Sequence, residues 1–155
     1  MPDEHGNGLE ELATSACWEA LRAGTVGRLA VWVDDHPDIF PINYVVDHGT
    51  VVFRSAAGTK VTAALTEVPV ALEADGYDAP SARAWSVVVK GRAQQIRDTQ
   101  ELEDTAQLPL HPWEASPKGK FLRIVPTSVT GRRFPVADPG AWRSPVPGAR
   151  HSSED

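Results

Sequence analysis

The chain has 155 residues, a formal net charge of −6 and one cysteine, which suits a single domain that has no intrachain disulfide. The acidic balance argues against nucleic-acid binding, which needs a basic face, and no apolar run reaches the ~18 residues of a membrane span. The first residues are polar and acidic, so we predict no signal peptide and expect a cytoplasmic protein that binds neither nucleic acid nor membrane.

The amino-terminal part predicts a disordered segment, a helix and a strand. Residues 1–8 are polar and rich in glycine, which is typical of disorder. From Leu9 to Leu21 apolar residues recur at helical spacing, and Gly24 is placed to end this helix in the left-handed conformation. Cys17 lies on the apolar stripe, so we interpret it as a core residue. A strand over 26–33 follows and ends in a polar segment.

The next stretch predicts a β-hairpin. Two runs rich in β-branched residues, Ile39–Val46 and Thr50–Phe53, flank the short sequence Asp47-His48-Gly49. Glycine in such a turn accepts the positive φ angles that tight hairpins require. We therefore expect two antiparallel strands here.

A cluster of anion-binding residues follows the hairpin directly. Arg54, Ser55, Thr59 and Lys60 bring two cations and two hydroxyls within seven residues. Gly58 lets the backbone approach a ligand closely. If a helix begins near Thr59, its unpaired N–H groups and positive dipole end face the same place. This combination suits a phosphate group.

The carboxyl-terminal part predicts three more strands and two short helices. A helix over 59–66 ends before Pro69, and another spans 98–107 with Asp98 as its N-cap. Strands are predicted over 70–74, 85–93 and 121–133, with a loop over 75–83. We expect a bulge at Gly91 and a break at Pro126.

The sum of these elements predicts a mainly β protein. About six strands at short spacing, with two or three small helices, favour a closed antiparallel barrel over a doubly wound sheet. We place this domain at residues 9–135 and a Pro/Gly-rich tail at 136–155, which is disordered or lies across a partner.

The motifs resemble a known family. Five stretches over about residues 9–133 are similar to pyridoxamine 5′-phosphate oxidase-like proteins, namely Pro41-Ile42-Asn43-Tyr44, Val52-Phe53-Arg54-Ser55, Gly58-Thr59-Lys60, Trp85 to Ala93 and Phe121 to Arg133. The resemblance implies a Greek-key-like split β-barrel that binds FMN. It also implies a homodimer with two flavins at the subunit interface.

The resemblance also implies a set of cofactor-binding residues. Arg54, Ser55, Thr59 and Lys60 would hold the flavin phosphate, and the strand from Pro41 to Tyr44 would lie beside the isoalloxazine ring. Trp85 and Trp113 would close the site, from the same or the other subunit. The full set is Pro41, Ile42, Asn43, Tyr44, Phe53, Arg54, Ser55, Gly58, Thr59, Lys60, Trp85 and Trp113.

The function that the resemblance implies is an FMN-dependent oxidoreductase acting on a small molecule. The chain has no counterpart of the carboxyl-terminal substrate segment of full-length oxidases, so we do not expect oxidation of pyridoxamine phosphate itself. A deazaflavin-dependent reductase of the same fold is one alternative, although the compact basic cluster favours FMN. The other is a flavin or haem carrier without turnover, with His48 or His111 as axial ligand by elimination. We name no catalytic residue, and the histidine spacing predicts no metal site.

Overall fold

The computed structural model describes residues 8–55, 59–110 and 119–136. The helices are α1 (Thr14–Ala23), α2 (Thr59–Glu67) and α3 (Thr99–Ala106). The strands are β1 (Glu10–Glu11), β2 (Val26–Val33), β3 (His36–Asp47), β4 (Thr50–Ser55), β5 (Val70–Asp78), β6 (Arg83–Gln95) and β7 (Lys120–Pro135). Within these ranges no helix is long and apolar enough to cross a membrane. The predicted disordered segment and tail lie outside the described residues, apart from Gly8 and Val136.

The strands form a closed antiparallel barrel. The order is β1-β7-β4-β3-β2-β5-β6, and an additional pairing of β6 with β7 closes the sheet. Strand β5 follows α2 and returns to lie beside β2, so the order β5-β2-β3-β4 is that of a Greek key. The predicted mainly β antiparallel barrel is therefore confirmed.

Two tight turns set the register of the central strands. The β2–β3 turn places Asp34 and Asp35 at φ 49° and 63°, and the β3–β4 turn places His48 and Gly49 at φ 49° and 71°. Two consecutive positive φ angles match the right-handed twist of paired strands. The hairpin predicted around Asp47-His48-Gly49 is confirmed.

The core fills the barrel and continues into two helices. Alternate residues of the strands point inward, and α1 adds Cys17 and Leu21 while α2 adds Leu65. Helix α2 lies at the end of β6 that contains Arg92, whose guanidinium donates to the carbonyl of Glu67. Cys17 is fully buried, as expected for a core residue, and burial raises the pKa of its thiol.

A bulge in the β6–β7 pair explains both Gly91 and Pro126. The register shifts between Lys90 and Gly91, so that Gly91 pairs with Pro126 while Lys90 pairs with Ser128. A Cβ on Gly91 would collide with the carbonyl oxygen of Val125. The predicted bulge is confirmed, but the predicted break is wrong. Strand β7 continues through Pro126 because a bulge tolerates a residue without an N–H donor.

The predicted helix start and end are corrected. Helix α1 begins at Thr14 rather than Leu9, because Glu10 and Glu11 are extended and pair with β7. Gly24 has φ −90° and is not left-handed. Its missing Cβ instead makes room for the Tyr44 hydroxyl.

The predicted loop over 75–83 is also corrected. Strand β5 runs on to Asp78 and β6 begins at Arg83, so pairing continues almost to the turn. Gly76 pairs with Trp85, and a Cβ on Gly76 would collide with the indole ring. Gly76 is therefore a packing position within a strand rather than a loop residue.

Candidate functional site

The predicted anion-binding cluster lies at the junction of β4 and α2. Strand β4 continues two residues beyond the predicted end at Phe53, to Ser55, and α2 begins at Thr59, as predicted. The first turn of a helix carries unpaired N–H groups and a partial positive charge. Gly58 and the side chains of Thr59 and Lys60 lie outside the described residues. The described part of the cluster is therefore Arg54, Ser55 and the start of α2.

Arg54 is held on the outer face of the barrel by strand β7. Its neighbour Phe53 is buried in the core, so Arg54 points to the opposite face of the sheet. Its Nε donates to the carbonyl of Gly119 over 3.3 Å, and its guanidinium carbon lies 5.4 Å from the centre of the Phe121 ring. Both contacts restrict the side chain before any ligand arrives, which reduces the entropy lost on binding.

Sequence reasoning missed Gly119 and Phe121. A Cβ on Gly119 would lie 2.6 Å from Cγ of Arg54, so a larger residue there would displace the Arg54 side chain. Phe121 is the cross-strand partner of Arg54. Neither position carries a local signal, because 65 residues separate Gly119 from Arg54.

The predicted ring-binding strand divides its side chains between two faces. Ile42 and Tyr44 belong to the core, whereas Pro41 is exposed and Asn43 is half-buried. Tyr44 pairs with Phe53, which is also in the core. This register places Asn43 beside Arg54 on the outer face. The side chains of Ile42, Tyr44 and Phe53 thus support the site through packing rather than through ligand contact.

Tyr44 has a structural role in the barrel. Its hydroxyl donates to the carbonyl of Leu21 over 2.7 Å, which fixes α1 to β3. Burial, and to a smaller extent the charge of Glu73, raises the pKa of Tyr44 to about 12. The phenol therefore stays neutral at physiological pH and is unsuited to proton transfer.

The two predicted tryptophans are not brought to Arg54 by the described contacts. Trp85 is half-buried, packs against the core and lies over Gly76, on the inner face of the sheet. Trp113 lies outside the described residues. The assignment of both to the site remains a prediction.

A charged cluster occupies the outer face two strands away from Arg54. Nη1 of Arg28 lies 3.0 Å from Glu73 and 3.3 Å from Asp75, and Arg28 is the cross-strand partner of Pro41. Burial raises the pKa of Glu73, as does the adjacent Asp75, while Arg28 opposes both effects. This cluster joins residues 45 and 47 positions apart, so local sequence gave no sign of it.

The histidine and acidic residues of the described ranges do not form a metal centre. The described ranges contain no group of three or more histidine, cysteine, aspartate and glutamate side chains arranged to hold a metal ion. His48 lies at the exposed tip of the β3–β4 hairpin, 2.8 Å from Asp47, and His111 lies outside those ranges.

Comparison with known proteins identifies relatives of the chain. A family model described as pyridoxamine 5′-phosphate oxidase matches residues 13–133. The uncharacterized protein Rv0080 of Mycobacterium tuberculosis is 37% identical over 133 residues, covering 83% of this chain and 86% of that protein. The FAD binding protein of Mycobacterium smegmatis has a TM-score of 0.69 and 39% identity, covering 81% and 98% of the two chains. A Corynebacterium glutamicum protein named for the same family has a TM-score of 0.76 and 34% identity, covering 86% and 98%.

Proposed function

Because the chain belongs to the pyridoxamine 5′-phosphate oxidase family, we propose that it binds a flavin at the junction of β4 and α2 and acts as an oxidoreductase on a small molecule. The observation that carries this proposal is the fixed position of Arg54. Gly119 and Phe121 restrain its guanidinium on the outer face, at the end of the strand that leads into α2.

The chemistry of this junction fits a phosphate group. Charge-assisted hydrogen bonds from arginine and lysine to a phosphate are among the strongest polar contacts in proteins. Helix α2 adds the N–H groups of its first turn, and Ser55, Thr59 and Lys60 complete the donor set. The chain as a whole is acidic, so these cations form a local site rather than part of a basic surface.

We propose FMN as the flavin, with its ring along the outer face of β3. Within the segment from Pro41 to Tyr44, Pro41 and Asn43 are the side chains that face outward, and Arg28 lies directly across from Pro41. Bound flavin would supply the electron or hydride transfer, while the protein binds and orients it. Gly58, Trp85 and Trp113 remain proposed residues of the cofactor site.

FAD is a second candidate. The FAD binding protein of Mycobacterium smegmatis is 39% identical to this chain and is covered over 98% of its length. FAD contains the FMN unit, so the same cluster would hold its inner phosphate. Parallel titrations with FMN and FAD separate the two, and a deazaflavin titration tests the remaining flavin-like alternative.

Substitution of the phosphate cluster tests the proposal. The double variant Arg54→Ala, Lys60→Ala should bind FMN and FAD about tenfold more weakly or worse, because it removes both cations from the phosphate. The matched control is Arg22→Ala, an exposed arginine at the end of α1. Flavin fluorescence gives the affinities, and circular dichroism checks the fold. Unchanged affinity in the double variant would contradict the proposal.

A further inference from the structure

A groove separate from the β4–α2 junction lies on the outer surface of the barrel. It runs between the segment before α1 and strands β6 and β7, and its volume is about 380 Å³. Cavities of roughly 300–1,000 Å³ commonly take small organic molecules. The groove is bounded by the carboxyl-terminal half of β7, whereas Arg54 pairs with the beginning of that strand.

The groove has an apolar floor and wall. Val88 contributes from the outer face of β6, and Leu9 and Leu12 contribute from the opposite side. Val129 borders the groove through β7, but its side chain packs against the core. Leu9 remains 50% exposed because the segment before α1 is extended and pairs with β7. Its side chain is thus available to an apolar ligand rather than buried in a helix interface.

One cation stands at the polar side of the groove. Arg132 is exposed, and in the part of the chain that the structure describes its side chain has no hydrogen bond or ion pair. Arg28, Arg83 and Arg123, by contrast, each lie within 4 Å of a carboxylate. The guanidinium of Arg132 is therefore available to an external anion.

Two hydroxyls and one carboxylate also line this side. Ser86 is the cross-strand partner of Arg132 on β6, and Thr130 lies next to it on β7. Glu11 is the cross-strand partner of Arg132 on β1, although the two side chains form no ion pair. An anion bound to Arg132 would be stabilised by the hydroxyls and weakened by Glu11.

We propose that this groove binds a small organic anion with an apolar body. The anionic group pairs with Arg132 and accepts hydrogen bonds from Ser86 and Thr130, while the apolar part packs on Val88 and Leu9. This site does not depend on flavin binding, because it shares none of the residues of the β4–α2 junction.

Two matched fluorescent probes test the charge requirement. The probes are 1-anilinonaphthalene-8-sulfonate, which is an anion, and N-phenyl-1-naphthylamine, which has a similar apolar body without the sulfonate. Arg132→Ala should weaken binding of the sulfonate by about fivefold or more and change binding of the amine by less than about twofold. Glu11→Gln should strengthen binding of the sulfonate, because it removes a like charge.

Further variants separate the groove from other surfaces. Val88→Asp should weaken both probes, since it places a charge on the apolar floor. Arg22→Ala and Trp32→Ala should not change the part of the affinity for the sulfonate probe that depends on Arg132, because both residues lie outside the groove. The proposal is overturned if the wild-type protein binds no sulfonate probe, if Arg132→Ala binds it as well as wild type, or if Val88→Asp leaves both affinities unchanged.

Discussion

At the scale of single residues, the candidate site depends on side chains that are distant in sequence. Arg54 ends β4, but its position is set by Gly119 and Phe121 at the beginning of β7. The carbonyl of Gly119 accepts a hydrogen bond from Nε of Arg54, and the Phe121 ring packs against the guanidinium plane. A restrained arginine loses less conformational entropy when it binds a phosphate than a solvated one does.

Removal of the aromatic support should weaken flavin binding. Phe121→Leu keeps an apolar side chain but removes a cation–π contact worth about 0.5–1 kcal/mol, so flavin affinity should fall by roughly two- to fivefold. Phe134→Leu, on the same strand, is the control. Fluorescence titration measures both, and a Phe121→Leu protein that binds flavin as tightly as wild type would show that Phe121 does not support Arg54.

The sequence predicts the parts of the site that are close together in the chain. The cluster of Arg54, Ser55, Thr59 and Lys60 is recognisable because its members lie within seven residues of the sequence. Gly119, Phe121 and Arg28 are not, because their contacts depend on barrel closure and strand register. The alternation of side chains along β3 would also have separated the core residues from the site residues. Ile42 and Tyr44 point inward, whereas Pro41 and Asn43 point outward.

At the scale of secondary-structure elements, Arg123 joins a hairpin to a helix. Its Nη1 lies 2.9 Å from a carboxylate oxygen of Asp47 and 2.6 Å from the Thr50 hydroxyl, and its Nε lies 3.3 Å from Glu101 of α3. The side chains of Arg123 and Asp47 are only 16% and 18% exposed. Removing one member of such a pair destabilises the folded protein, because the other charge stays largely buried without a partner.

Neutralising Asp47 should destabilise the protein near neutral pH. Asp47→Asn should lower the free energy of unfolding by about 2 kcal/mol, as expected for a mostly buried pair that is partly solvated. Asp35→Asn, an exposed turn residue, is the control. Urea denaturation of the three proteins measures the difference, and equal stability of Asp47→Asn and wild type would show that the pair contributes nothing.

The effect of Asp47 should disappear in acid. Burial raises the pKa of Asp47, but Arg123 and His48 outweigh this effect and hold it below its usual value. Its contribution is therefore present above the unfolded pKa of about 3.9 and is lost as pH falls through the folded pKa. The stabilities of wild type and Asp47→Asn should therefore converge as pH falls below the unfolded pKa and through the lower folded pKa of Asp47. A constant difference across this range would contradict the assigned charge interaction.

Element boundaries were predictable where local sequence sets them. The turn at His48-Gly49, the cap at Asp98 and the bulge at Gly91 all rest on neighbouring residues, and all three are found. The start of α1 was not predictable, because Glu10 and Glu11 are extended through pairing with Arg132 and Arg133 of β7. Long-range pairing overrides the helical spacing of the apolar residues here.

At the scale of the whole molecule, one outer face of the barrel is unusually apolar. Trp32 and Ile39 are 52% and 65% exposed on adjacent strands, while Val31 and Val33, on either side of Trp32 in the sequence, are buried. Pro37 pairs with Trp32 and extends this surface. The homodimer proposed from the family would bury such a face, because exposed aromatic and aliphatic patches commonly mark subunit interfaces.

Polar substitutions on this face should abolish the dimer. The variant Trp32→Ser, Ile39→Asp should sediment as a monomer at micromolar concentration, where wild type should sediment as a dimer. Val125→Ser removes an exposed apolar residue from β7 and serves as the control. Sedimentation equilibrium gives the masses. A monomeric wild-type protein would contradict the dimer, and a dimeric double variant would place the interface elsewhere.

Fold class followed from sequence because strand patterns and turn signals repeat along the chain. Surface features did not, since the groove beside Arg132 and the face around Trp32 each combine residues from several strands of the closed barrel. The pairing register of the strands determines which outward-facing residues become neighbours, and local sequence does not reveal this register.

The most direct test of flavin binding is the visible absorbance spectrum of the freshly purified protein. The flavin is then released by denaturation and identified, and stripped protein is titrated with FMN and FAD. We expect flavin absorbance bands, or micromolar or tighter binding that Arg54→Ala, Lys60→Ala weakens by about tenfold. A protein that carries no flavin and binds neither FMN nor FAD would contradict the proposed function while leaving the barrel fold intact.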